Sequence, residues 1–150
     1  MTLLFTFLIA SFNMLHVGQM AEYKIYNKGN TILMKVILED HEIRSFDFGN
    51  TCESNETPSI CSKHHILKNL LVKINDDLIL FEFENSYTDN GHLTLNFKGK
   101  MKPNSIKKID ISNTCFFEFD SSYRNRLAIS LGKFEGSYML TKNKNKITLH

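Results

Sequence analysis

From Tyr23 onward the chain is written with a period of two. Ile32-Leu33-Met34-Lys35-Val36-Ile37-Leu38 and Leu70-Leu71-Val72-Lys73-Ile74 are dense in β-branched and bulky side chains, which suit a pleated surface better than a helix. Leu78-Ile79-Leu80-Phe81-Glu82-Phe83-Glu84 sets Phe81 and Phe83 on one face and Glu82 and Glu84 on the other, as in a strand with one dry and one wet side. Leu93-Thr94-Leu95-Asn96-Phe97 repeats the pattern, and Asp89-Asn90-Gly91 before it tolerates positive φ, so the two runs predict a hairpin with a longer loop. Beyond Pro103-Asn104, residues 106–111, 115–119, 127–131, 138–141 and 147–149 recur at short intervals between turn residues. Short strands at regular spacing predict an all-β sandwich or barrel.

One interval breaks the pattern. Residues 39–58 are polar, with Asp40-His41-Glu42 and Asn50-Thr51-Cys52-Glu53-Ser54-Asn55-Glu56-Thr57-Pro58, and predict a long connection with room for one helical turn. Ser62 then caps a short helix through Leu70, because Ile66, Leu67 and Leu70 share a face. The expected role of this helix, set in a crossover connection, is to plug one end of the sandwich. The chain has 150 residues and a mass of 17.4 kDa, enough for one domain with a real core and too few for two.

The first dozen residues, Met1-Thr2-Leu3-Leu4-Phe5-Thr6-Phe7-Leu8-Ile9-Ala10-Ser11-Phe12, are uncharged and apolar and give way to polar sequence at Asn13. That profile predicts a signal peptide over residues 1–15, ahead of a single mature domain over residues 16–150. The run fits the apolar core of a leader and falls short of the roughly 20 residues needed for a membrane anchor. No Lys or Arg precedes it and no small-x-small cleavage triplet follows it; the plainer alternative is a first strand or a segment packed in the core. Export would place the mature chain in the periplasm or outside the cell, without a transmembrane anchor.

Eighteen basic and 16 acidic side chains leave a formal charge of +2, too weak a field to recommend nucleic acid as a partner. Lys142-Asn143-Lys144-Asn145-Lys146 is the one locally basic stretch and reads as a solvated turn between two strands.

Cys52 and Cys61 lie in the same polar region. In an oxidising compartment a bridge between them would close a small ring and limit the unfolded freedom of the loop, a gain of about 2 to 3 kcal/mol. Cys115 sits in Thr114-Cys115-Phe116-Phe117 and reads as a small buried hydrophobe; as a nucleophile it would need a base and a lowered pKa that no neighbour in sequence supplies. No catalytic residue is expected.

The histidines are His16, His41, His64, His65, His92 and His150. None forms an HExxH motif, and there is no CxxC pair. Leader cleavage just before His16 would, however, leave a terminal amine and its own imidazole to chelate copper or another divalent ion in tetragonal geometry; the plainer reading is a solvated histidine at a chain end. His64 and His65 point about 100° apart on a helix, so one is expected to be buried and one wet. His92 flanks a turn and His41 lies in a loop. The acid pairs Glu82 with Glu84 and Glu118 with Asp120 share strand faces at roughly 7 Å, which invites a glycosidase reading, but an outer solvated face explains both.

Ser62-Lys63-His64-His65-Ile66-Leu67-Lys68-Asn69-Leu70-Leu71-Val72-Lys73-Ile74-Asn75, Ile109-Asp110-Ile111-Ser112-Asn113-Thr114-Cys115-Phe116 and Tyr123-Arg124-Asn125-Arg126-Leu127-Ala128-Ile129, following a leader and an early histidine, carry a resemblance across most of the mature chain. The order resembles a family of small exported Bacteroidota-type bacterial proteins of unknown function. Its motifs are structural: a helix leading into a strand and turn at Lys73-Ile74-Asn75, a strand ending at Asn113 and another starting at Asn125. The resemblance implies an immunoglobulin-like antiparallel β-sandwich in the cell envelope, with no enzymatic activity to carry over. The expected function is an exported, non-enzymatic interaction or accessory module acting with an unidentified envelope protein; the alternative is a periplasmic metal-binding or metal-delivery protein using His16.

Overall fold

The computed structural model describes residues 19–102 and 105–150; the expected leader, His16, Pro103 and Asn104 lie outside them. In chain order the strands are β1 (Met20–Lys28), β2 (Thr31–Glu39), β3 (Leu70–Ile74), β4 (Asp77–Leu78), β5 (Glu82–Asp89), β6 (His92–Lys100), β7 (Ile109–Asn113), β8 (Arg124–Leu131), β9 (Phe134–Leu140) and β10 (Lys146–Leu149). Between β2 and β3 come α1 (Asp40–Ser45), a 3-10 turn (Gly49–Thr51) and α2 (Pro58–Asn69). The strands make a six-stranded sheet ordered β5-β6-β2-β1-β8-β9 and a four-stranded sheet ordered β10-β7-β3-β4. The all-β sandwich predicted from the alternation is therefore the fold, with two short helices where one was expected.

Period two explains which side chains are inside. Along β2, Ile32, Met34, Val36 and Leu38 are buried and the residues between them only partly so. In β3, Leu70, Val72 and Ile74 are buried while Leu71 and Lys73 are exposed. These two inward faces, together with Tyr23, Ile25, Phe97, Ile109, Ile111, Leu127 and Ile129, join one continuous hydrophobic cluster. Ile43 of α1 and Ile66 of α2 enter the same cluster, so the helical insert closes one end of the core.

Among the described residues all strand pairings are antiparallel except one. β1 runs parallel to β8, from Met20 opposite Arg124 to Tyr26 opposite Ser130. The chain reaches β8 only after passing through the second sheet at β7, so β8 arrives in the same direction as β1. A pattern of alternation reports which face a residue occupies, not which strand lies beside it.

Local chemistry accounts for the other departures. The hairpin between β5 and β6 has a two-residue turn, Asn90-Gly91, with φ of 48° and 80°, the left-handed pair that a tight hairpin requires. It is tighter than expected because edge strand β5 continues through Asn85-Ser86-Tyr87-Thr88 to Asp89, where little apolar alternation marks it. The helix begins earlier than expected: Thr57 is the cap, its Oγ1 accepting from the Ile60 N–H at 3.4 Å, and Pro58 occupies the first turn. Ser62 is buried inside α2 instead of capping it. Residues 115–119, expected as a strand, form a turn in which Phe116 holds φ of 62°. The lysine-rich segment near 142–146 is an exposed turn, and it carries the chain from β9 in one sheet to β10 in the other.

Candidate functional site

The helical insert and the turn between β7 and β8 meet at one end of the sandwich. Cys52 and Cys61 form a disulfide with their Cα atoms 5.0 Å apart, which pins the loop after the 3-10 turn to the first turn of α2. Glu56, inside that ring, accepts from the Glu53 N–H at 3.0 Å. Its other carboxylate oxygen lies 3.9 Å from Nε2 of His64. The ligating atoms of Cys52, Glu56 and Cys61 all fall within 4.8 Å of one another.

Behind the ring lies an aromatic cluster. Phe46 meets Phe48 edge-on at 4.8 Å between centroids, His65 and Phe116 at 5.3 Å each, and stacks on Phe119 at 5.8 Å. Arrangements of this kind complement the negative ring face with a positive edge. Phe46 and Phe48, with Asp47, Glu53, Glu56 and Cys61, line a groove of about 280 Å³ on the outside of the cap. Arg44, which also borders it, is already paired with Asp40 at 2.8 Å, so the groove is acidic with an aromatic floor.

Of the adjacent histidines, His65 is buried and His64 is wet, as their helical spacing predicts. Nε2 of His65 accepts the Phe116 N–H at 3.1 Å. Burial lowers the His65 pKa, partly countered by Glu118 nearby. The neutral ring is the form that can accept this bond.

A polar core lies under the β7–β8 turn. Asn113 and Asn125 are fully buried, and Oδ1 of Asn113 accepts from the Cys115 N–H at 3.0 Å and from Nδ2 of Asn125 at 3.3 Å. Asn125 also donates to the Cys115 carbonyl at 2.9 Å. The two asparagines at a strand end and a strand start are thus one structural unit. Burial pushes the Cys115 thiol up to about 12, Tyr23 well above its ordinary value, and Tyr123 upward as well. These shifts keep the thiol protonated, so Cys115 is a poor nucleophile and the small buried hydrophobe the sequence suggested.

The remaining candidates stay apart from the cap's ring. His41 and His92 flank Glu39, at 3.9 and 3.0 Å. Glu82 and Glu84 are exposed, Glu84 pairing with Lys98 at 3.2 Å. Glu118 and Asp120 are exposed in the β7–β8 turn, and Asp120 accepts from the backbone and hydroxyl of Ser122. Sequence reasoning found the two ring cysteines and missed Glu56 beside them; its position midway between Cys52 and Cys61 was the available signal. Among the described residues no helix is long and apolar enough to cross a membrane. No family model matches the chain, and no curated protein matches it.

Proposed function

We propose that the chain is an exported, non-enzymatic interaction module of the cell envelope, and that its partner is a polypeptide presenting a basic side chain beside an apolar one, which docks in the groove of the helical cap. The observation that carries this reading is the disulfide between Cys52 and Cys61 beneath an acidic, aromatic-floored groove. A covalent staple holds Glu53 and Glu56 in place before a partner arrives, which reduces the ordering cost of binding. The charge balance favours a cationic guest: Asp47, Glu53 and Glu56 have no free cation opposite them in the groove lining, since Arg44 is engaged by Asp40. Phe46 and Phe48 supply the apolar contact. Export is supported by the apolar dozen at the chain start, by the resemblance to an exported envelope family, and by the disulfide, a bond that persists in oxidising compartments.

The test is fluorescence anisotropy of the oxidised chain with short labelled peptides that differ only in charge and in one aromatic or aliphatic residue. Peptides pairing Lys or Arg with an apolar residue should bind best, lose affinity with added salt, and lose it again against an Asp47→Lys/Glu53→Lys chain. Equal binding of acidic and basic peptides, or no effect of the double substitution, would reject the groove. Expression with residues 1–15 intact, followed by mass determination of the exported product, tests the compartment; an unprocessed chain retained in the cytoplasm would reject it.

A further inference from the structure

We infer that Cys52, Glu56, Cys61 and His64 form a redox-gated Zn(II) site, closed while the two sulfurs are bonded to each other and available once they are reduced. This rests on the ring geometry and not on the peptide-docking reading. The two sulfurs, which become thiolate donors only on reduction, and a carboxylate oxygen of Glu56 lie within 4.8 Å of one another. A tetrahedral zinc ion holds sulfur at about 2.3 Å and oxygen or nitrogen at about 2.0 Å, which places neighbouring ligand atoms roughly 3 to 4 Å apart. Cleaving the S–S bond lets the sulfurs separate to that spacing.

The four donors come from supports of different stiffness. Cys61 is buried near the start of α2, fixed by its N–H bond to the Thr57 carbonyl at 3.1 Å. His64 follows three residues later, on the same face of the helix. Its ring is about half exposed and sits 3.9 Å from Glu56, so a rotamer change brings it to the ion without moving backbone. Glu56 is aimed by the Glu53 N–H. Cys52 lies just beyond the 3-10 turn, on the loop that must give way. Two thiolates with an imidazole and a carboxylate select zinc over the hard ions magnesium and calcium.

The exchange balances with a dithiol as reductant. Its thiolate attacks one protein sulfur, the Cys52–Cys61 bond breaks, and resolution leaves two protein thiols and the dithiol as its own disulfide, two electrons having passed to the protein. Zinc then displaces both thiol protons as it binds. Cys115, buried and held protonated, takes no part.

The experiment titrates the full chain, phosphine-reduced and oxidised in parallel, with Co(II) and then Zn(II). The reduced chain should bind one equivalent of Co(II) with a sulfur-to-cobalt charge-transfer band and tetrahedral visible bands, both erased by Zn(II), and the oxidised chain should show neither. Glu56→Gln and His64→Ala keep both cysteines, and each should weaken zinc binding by roughly tenfold or more; circular dichroism of their oxidised forms checks that they fold. The inference is overturned if the reduced chain binds Zn(II) no more tightly than a Cys52→Ser/Cys61→Ser chain, if bound Co(II) is octahedral without a thiolate band, or if neither single substitution weakens binding.

Discussion

His65 accepts the backbone N–H of Phe116 across 51 residues of sequence, at 3.1 Å and out of contact with water. The bond joins α2 to the β7–β8 turn at the one bulky described residue whose backbone sits in the left-handed region, φ 62°. An aromatic residue there is costly unless its surroundings impose it. Asn69 reinforces the junction, its carbonyl accepting from the Thr114 N–H at 3.0 Å.

Replacing His65 with Ala should therefore destabilise the fold by about 1 to 3 kcal/mol for the orphaned Phe116 N–H alone, with a further loss from the void left among Phe46, Phe48 and Phe116. Urea midpoints measure it. A change near zero would mean that the ring merely fills space.

The same residue gives a pH dependence with a definite sign. Its folded pKa lies below the ordinary 6.5 because of burial, so the unfolded chain binds more protons in the window between the two values. The stability it confers is complete above pH 6.5 and falls as the pH drops through the folded value. His65→Gln keeps an acceptor but does not titrate; its urea midpoint should fall less steeply with acid than that of the parent. Parallel curves would contradict the assignment.

Asn125→Ala removes one donor and with it two bonds, to Oδ1 of Asn113 and to the Cys115 carbonyl. Leaving that buried carbonyl unpaired should cost about 1 to 3 kcal/mol. A cycle with Asn113→Ala should show strong non-additivity, because the two side chains touch; additive losses would place them in separate networks.

Cys115 should resist thiol reagents in the native chain and react once per chain in urea. Both full burial and a thiol pushed up to about 12 act in that direction. Rapid labelling under native conditions would show that the β7–β8 turn opens.

Opening the Cys52–Cys61 ring with a Cys52→Ser/Cys61→Ser pair should cost about 2 to 3 kcal/mol, the loop entropy of a ring with ends nine residues apart. Thermal melts of parent and variant without reductant read this directly. Equal melting temperatures would show that the loop is held by its other contacts.

What could be read before folding depended on whether a signal was local. β3 is legible because bulky, β-branched residues run from Leu70 to Ile74 with Lys73 marking the wet face, although Leu71 on that same face is apolar and exposed. The start of α2 was also written locally, in Thr57 followed by Pro58, but Ser62 offered a competing cap and its burial could not be foreseen. The aromatic run from Cys115 has strand propensity; Asn113, two residues before it, and the distant His65, 51 residues away, bind its backbone N–H groups and hold it in a bend. At the candidate site the cysteines stood out by type. Glu56 and His64 looked like ordinary surface residues, because their significance comes from which atoms the ring and helix set beside them.

The parallel pairing of β1 with β8 bears on how the molecule is made. β1 waits for a partner more than a hundred residues downstream, so along one side its backbone donors and acceptors stay open until β8 has left the ribosome. A stalled product ending before Arg124 would offer a long apolar edge to any passing strand. For this fold, the order of synthesis sets a vulnerable interval that ends only once β8 has been made.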